Sequence, residues 1–305
     1  MIRITSEDIE TLSITPTQSI EWVKESFLMK PNAQLPAKIS IHPQGSDFIN
    51  TMPCMLPQEY HLFGCKVVSR IKGQKPALKS EMMVFDTNTG ELMALINSDW
   101  ITSMRTGAVA ALAINTLQNS NASIYSFIGL GVIGHATLKC LIESNLNRTL
   151  NIRLMRYKNH AEETIQKFSQ YKNVRFTIVD TVDELIDNAD VIVSCITDAS
   201  GLLVDDVNKF KPGVLIVPVH TRGFQNCDIV FDKVFGDDTA HLCGFEYFNQ
   251  FKSFAELSDV LSGQAPGRES DEERILSYNI GLGLHDITYA WHILQMLNRT
   301  KQHCS

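Results

Sequence analysis

Three absences bound this chain of 305 residues. No apolar run approaches the ~20 residues that a membrane span needs. The start, Met-Ile-Arg-Ile-Thr-Ser-Glu-Asp, lacks the cationic head and apolar stretch of an export signal. Paired cysteine motifs are also missing. The seven cysteines, at 54, 65, 140, 195, 227, 243 and 304, stand singly. An odd count without Cys-x-x-Cys fits reduced thiols in a cytoplasm better than a disulfide framework. Cys65, Cys140 and Cys195 lie in apolar runs and read as buried small hydrophobes. Positive charge is not in excess: the net charge of −7 argues against nucleic acid or an anionic membrane as partner. No metal site is expected, because His241 and Cys243 stand two apart without the further ligands that zinc requires. What remains is the composition of an ordinary globular protein, 44% hydrophobic and 20% charged. The length allows two domains at roughly 150 residues each.

Helix signals open the chain. Thr15-Pro16-x-Gln18 offers a capping residue, a proline at the first helical position and a capping-box partner, and Ile20, Val23 and Phe27 recur at helical spacing. Short strand-like runs follow at Ala37–Ile41, Gly64–Ser69, Glu81–Asp86 and Leu92–Asn97, with Asn88-Thr89-Gly90 marking a hairpin. Ser98–Thr116 reads as a helix with Ile101, Met104, Val109 and Leu112 on its apolar side. From about 119 strands alternate with helices. The strands are Ile124–Ile128, Ile152–Arg156, Val174–Val179, Val191–Cys195 and Val214–Val219; the helices are Gly134–Ser144, His160–Gln170 and Asp183–Asn188. Such alternation predicts an α/β, Rossmann-type doubly wound parallel sheet. Asn279–Gln295 reads as a final helix returning to the first domain. The expected division is therefore 119–279 as the doubly wound domain, and 1–118 plus 280–305 as a second, α+β domain. Asp271-Glu272-Glu273-Arg274 reads as a solvated helix start.

The chemistry begins at Ile124-Tyr-Ser-Phe-Ile-Gly129-Leu-Gly131-Val132-Ile133-Gly134. A strand runs into Gly-x-Gly-x-x-Gly and then a helix, the arrangement that binds a dinucleotide. Gly129 permits the turn, Gly131 lets backbone approach a pyrophosphate, and Gly134 lets the helix pack on the sheet. The anion then faces N–H groups at a helix start, beside Val132 and Ile133. The next strand ends in Arg156-Tyr157-Lys158, with no carboxylate before Glu162. Two cations there favour the 2′-phosphate of NADP over the 2′-hydroxyl of NAD, which remains the second choice; the alternative is a pair of solvated surface charges. Cys195, Ile196, Thr197 and Val219 follow carboxyl ends of strands, where ligands of such sheets bind. Thr106 is a further candidate through its hydroxyl, or else a helix threonine bonded to its own backbone. Lys66 interrupts an apolar strand, where its stem either reaches solvent or brings the ammonium to an anion in a cleft.

Several segments together resemble one family. Gly64-Cys65-Lys66-Val67-Val68, Phe85-Asp86-x-x-x-Gly90-Glu91-Leu92 and Thr102-Ser103-Met104-Arg105-Thr106-Gly107-Ala108-Val109 precede the glycine loop. Ala189-Asp190-Val191-Ile192-Val193, Gly263-Gln264-x-Pro266-Gly267-Arg268 and Gly281-Leu282-Gly283-Leu284-His285-Asp286 follow it. The set is similar to the ornithine cyclodeaminase/mu-crystallin family over nearly the whole chain. Residues Pro266–Gln295 are similar to siderophore-pathway enzymes that oxidatively release 2,3-diaminopropionate from an amino-acid conjugate. The resemblance implies a homodimer in which 1–118 plus 280–305 form the substrate-binding and dimerisation domain and 119–279 the dinucleotide-binding domain, and chemistry at the α-carbon of a small amino or imino acid. It implies an NAD(P)-dependent oxidoreductase of the amino-acid dehydrogenase or imine reductase type. Alternatives are a cyclodeaminase-like lyase that recycles its NAD(H), the conjugate dehydrogenase, and an NADPH-binding crystallin without catalysis.

The resemblance also implies that Arg105 clamps the substrate carboxylate, with Lys38 a second basic group, and that Lys66 acts at the substrate. Burial would lower its pKa toward neutrality and suit it to proton transfer. The chain departs from the family pattern after Val214–Val219, where cyclodeaminases carry an aspartate and Arg222 stands instead. His220 could move protons there and Arg222 could hold a second substrate carboxylate. A basic loop favours an acidic substrate over a diamine. Pro266–Glu269 reads as a cover for the nicotinamide or an exposed turn.

Overall fold

The computed structural model describes residues 1–197, 199, 201–219 and 222–303, with side chains as far as Arg299. It forms two compact units, Met1–Arg105 with the segment from Gly281, and Thr106–Ile280. The first division falls inside a helix, upstream of the boundary at 118 expected from sequence. No helix among the described residues is long and apolar enough to cross a membrane.

The first unit opens with β1 (Ile2–Ile4), α1 (Ser6–Thr11) and α2 (Pro16–Met29). The capping box forms as read: Gln18 N–H donates to Thr15 Oγ1 at 3.1 Å, and Thr15 N–H donates to Gln18 Oε1 at 2.9 Å. Next come β2 (Ile39–Ile41), β3 (Phe48–Met55), β4 (Leu62–Arg70), β5 (Leu78–Asp86) and β6 (Leu92–Asn97). They make one sheet ordered β1-β6-β5-β4-β3-β2, antiparallel except where β1 joins β6. β5 and β6 are the expected hairpin, with Asp86 Oδ1 accepting from the Asn88 and Thr89 amides. Alternation turns Leu62, Gly64, Lys66 and Val68 of β4 inward. Cys65 points the other way and is only half-buried, a correction to its reading as a core residue. Helix α3 (Asp99–Leu117) then leads into the second unit.

That unit contains β7 (Ile124–Ile128), α4 (Val132–Glu143), β8 (Leu150–Met155), α5 (His160–Lys167), β9 (Val174–Val179), α6 (Val182–Ile186), β10 (Val191–Ser194) and β11 (Leu215–Pro218). It continues with β12 (Lys233–Gly236), α7 (Thr239–Leu242), β13 (Phe254–Glu256), α8 (Leu257–Leu261) and β14 (Ile275–Tyr278). The sheet is parallel throughout, ordered β13-β12-β14-β11-β10-β7-β8-β9. The order reverses between β7 and β10, the switch point at which doubly wound sheets bind ligands. β10, β11, β12 and β14 are buried on both faces, as parallel strands covered by helices should be.

Two sequence expectations fail here. Asp271–Arg274 starts no helix: Asp271 accepts from the Ser120 amide and hydroxyl, and Glu273 Oε1 lies 3.0 Å from Lys233 Nζ. These acids anchor a turn against the sheet. The final helix, α9 (Gly283–His303), begins four residues later than Asn279. Gly281 holds φ 85°, which no right-handed helix contains, and Asn279 Nδ2 turns to Asp237 Oδ1 instead. α9 packs on α2, β3 and β4 and so belongs to the first unit.

Candidate active site

In the first unit three distant residues meet around one carboxylate. Lys66 comes from the inward face of β4, Arg105 from α3, and Asp286 from the first turn of α9. Lys66 Nζ lies 2.7 Å from Asp286 Oδ2, and Arg105 Nε donates to Asp286 Oδ1 at 3.0 Å. Lys66 and Asp286 are fully buried and Arg105 is 6% exposed. Burial raises the Asp286 carboxyl, but Arg105 and then Lys66 bring it below the ordinary carboxylate value. Burial, followed by the Arg105 guanidinium, pushes the Lys66 ammonium down to about 7 against the pull of Asp286. Lys38, half-buried just ahead of β2, adds like charge and pushes the same way. The arrangement supplies an amine able to take or release a proton near neutrality and a guanidinium fixed by its inner nitrogen.

Neighbours hold these groups in place. Gly281 packs against the arginine: a Cβ built on it would lie 2.0 Å from one terminal nitrogen of Arg105 and 2.9 Å from Cζ. His285 is fully buried beside Phe27, with Nδ1 2.6 Å from Ser26 Oγ. Burial and the nearby Arg105 charge push it down to about 3, so it is neutral. Gly281 and Asp286 lie in the Gly281–Asp286 motif, where the sequence alone assigns neither a role. The available signal was an acid at the start of an otherwise apolar helix.

In the second unit Gly129 follows β7 at φ 89°, and Gly131 precedes α4 with no side-chain cap on the helix start. A Cβ on Gly129 would lie 2.4 Å from the Cys195 carbonyl carbon, and one on Gly134 would lie 2.3 Å from the Gly129 carbonyl oxygen. Nothing stands within 4 Å of a Cβ on Gly131. The turn is thus closed against the sheet and open outward, a cradle that fits a pyrophosphate at an uncapped helix start. Around it, Val132 is exposed, Ile133 and Ile196 are half-buried, Thr197 is exposed, and Cys195 and Val219 are buried. Thr106, next to the arginine on α3, is half-buried.

Arg156 follows β8 as expected but already has carboxylate partners, Asp180 at 2.5 Å and Glu162. Lys158 takes φ 52° and places Nζ 5.3 Å from the Tyr157 ring centroid.

The outer loop residues divide. His220 lies outside the described residues. Arg222 is exposed and lines an open groove of about 590 Å³ with Gln225, Asn226, Glu246 and Tyr247. Asp228 is buried, accepts from the Tyr278 hydroxyl at 2.6 Å, and is pushed up to about 6 by burial. Within Pro266–Glu269, Arg268 Nε donates to Leu117 O at the end of α3, at 2.7 Å. His241 pairs with Asp238 at 2.8 Å.

A family model for the ornithine cyclodeaminase/mu-crystallin family matches residues 2–301. The chain belongs to that family. Within it, the chain is 30% identical over 254 residues to a Delta(1)-pyrroline-2-carboxylate reductase of Bacillus thuringiensis, covering 76% of both chains. It is 26% identical to an N-((2S)-2-amino-2-carboxyethyl)-L-glutamate dehydrogenase of Staphylococcus aureus, covering 82% of this chain and 79% of that protein. The fold superposes on a Thermococcus litoralis Delta(1)-pyrroline-2-carboxylate reductase solved with NADH and L-proline, with TM-score 0.84, 23% identity and 98% of each chain covered.

Proposed function

We propose that this family member is an NADP-dependent oxidoreductase that interconverts the C=N group of a small α-imino acid and the CH–NH group of the amino acid. The observation that carries the reading is the buried Lys66–Asp286–Arg105 constellation, in a chain that also builds a dinucleotide cradle. The names of the relatives, reductases and dehydrogenases of imino and amino acids, point the same way.

The roles follow from the chemistry of each group. The Arg105 fork, its Nε fixed by Asp286, offers its terminal nitrogens to the substrate carboxylate, with Lys38 as a second cation. Lys66 supplies a proton to nitrogen when the imine is reduced, since the added hydride needs a balancing proton. His220 is a second candidate for proton transfer, and Arg222 for a distal carboxylate. A bound nicotinamide would supply or accept the hydride at the substrate α-carbon. Gly129, Gly131 and Gly134 with the α4 start would hold its pyrophosphate, and Thr106, Val132, Ile133, Cys195, Ile196, Thr197 and Val219 would line it. The choice of NADP over NAD rests on Arg156 and Lys158.

The test is NADPH consumption by the purified protein with a panel of cyclic imino acids and of α-keto acids plus amines. Wild type is expected to oxidise NADPH stoichiometrically, whereas a recycling lyase would leave its absorbance unchanged. Arg105→Ala is expected to raise KM steeply while retaining NADPH affinity; an unchanged KM would remove Arg105 from the substrate.

The same reading includes a homodimer. The sheet of the first unit leaves Ile39 and Ile41 more than 60% exposed on its edge strand, with Met83 and Met93 also exposed. Such an apolar face suits burial against a second copy of the chain.

A further inference from the structure

The corner at the tip of β8 carries more than the two cations read from sequence. β8 and β9 end level with each other: the Arg156 amide donates to Val179 O at 2.9 Å, so Arg156 and Asp180 emerge side by side from parallel strands. Arg156 Nε meets Asp180 Oδ1 at 2.5 Å, and its NH1 meets Glu162 Oε1 from the first turn of α5. Asp180 is itself anchored, since its amide donates to Glu184 Oε2 at 2.9 Å and the next residue caps α6. All three charged side chains remain open to solvent, between 44% and 64% exposed. Lys158, held beside Tyr157, is the other cation of this corner, so two acids balance two bases.

We infer that Asp180 and Glu162 determine coenzyme specificity by holding Arg156, which weakens binding of a 2′-phosphate relative to a free 2′-hydroxyl. The inference rests on the dinucleotide reading of the glycine loop and deepens it. A ribose hydroxyl can donate to a carboxylate and leaves the cluster intact. A phosphate carrying nearly two negative charges must displace the carboxylates from the arginine and then sit beside them. Exposed ion pairs are weak enough for this exchange to occur. The wild type therefore keeps a preference for NADPH over NADH of no more than about tenfold in dissociation constant.

The experiment is direct titration of NADPH and NADH, followed by calorimetry, into wild type, Glu162→Gln/Asp180→Asn, and that double variant with Arg156→Ala added. Thermal melts confirm that each is folded. The double variant is expected to bind NADPH roughly tenfold more tightly while NADH changes by under about twofold. Adding Arg156→Ala is expected to abolish the gain. An NADPH/NADH ratio that does not move, or a gain that survives Arg156→Ala, overturns the inference. Failure of wild type to bind either coenzyme overturns the dinucleotide reading itself, and is distinguishable from an unmoved ratio.

Discussion

Asp286 gives one oxygen to each of two buried cations, so its removal leaves both uncompensated. Breaking a buried pair in this way costs about 3–5 kcal/mol. Asp286→Ala is expected to lose stability on that scale in urea unfolding, and a loss below about 1 kcal/mol would contradict the geometry. Lys66 gives a pH signature. Folding lowers its pKa from 10.5 to about 7, so the folded protein holds fewer protons than the unfolded chain between those values. Stability should rise with pH across that window, and Lys66→Met should flatten the rise in thermal melts taken from pH 7 to 10. As a proton donor in imine reduction, protonated Lys66 should make kcat/KM fall as pH rises through about 7. The burial of Lys66 and its lowered pKa could be read from β4; its partners could not. A lysine in an apolar strand is visible in sequence, but residues 66, 105 and 286 share no local pattern.

At the scale of elements, the glycine turn makes the sharpest claim. An alanine at 134 would place its Cβ 2.3 Å from the Gly129 carbonyl oxygen, so α4 must move away from β7. Gly134→Ala is expected to weaken coenzyme binding at least tenfold in a calorimetric titration, because the helix start would no longer face the pyrophosphate; unchanged affinity would place the coenzyme elsewhere. Some strands of each unit were legible. β6, β7 and β9 match their sequence limits, because each is a short strand-like run bounded by turn residues. β12, β13 and β14 were missed. They are three or four residues long, and β12 and β14 are buried on both faces, so they show no alternation to detect. The late start of α9 had a local cause, the left-handed backbone at Gly281, visible only as one more glycine in a glycine-containing motif.

On the scale of the whole chain, sequence order conveyed the architecture better than the chemistry. The run of strand and helix from Ile124 to Val219 was enough to predict a parallel doubly wound sheet, and the order β9-β8-β7-β10-β11 is that fold's signature. Of the ionic state of the site only the lowered pKa of Lys66 was legible; the Asp286 partner of both cations was not, because it lies far off in sequence. Self-association belongs to this scale too. Light scattering across a dilution series is expected to show a dimer, and Ile39→Glu/Ile41→Glu is expected to shift it toward monomer; a wild type that is monomeric at every concentration would remove the sheet face as an interface. The most direct test of the central claim is the rate of NADPH oxidation with a five-membered cyclic imino acid, measured for wild type and Lys66→Met alongside their NADPH affinities. The expected result is stoichiometric turnover by wild type, and a variant at least about a hundredfold slower with its NADPH affinity intact. Equal rates for the two proteins, or no turnover across the imino-acid panel by a wild type that holds NADPH, would contradict it.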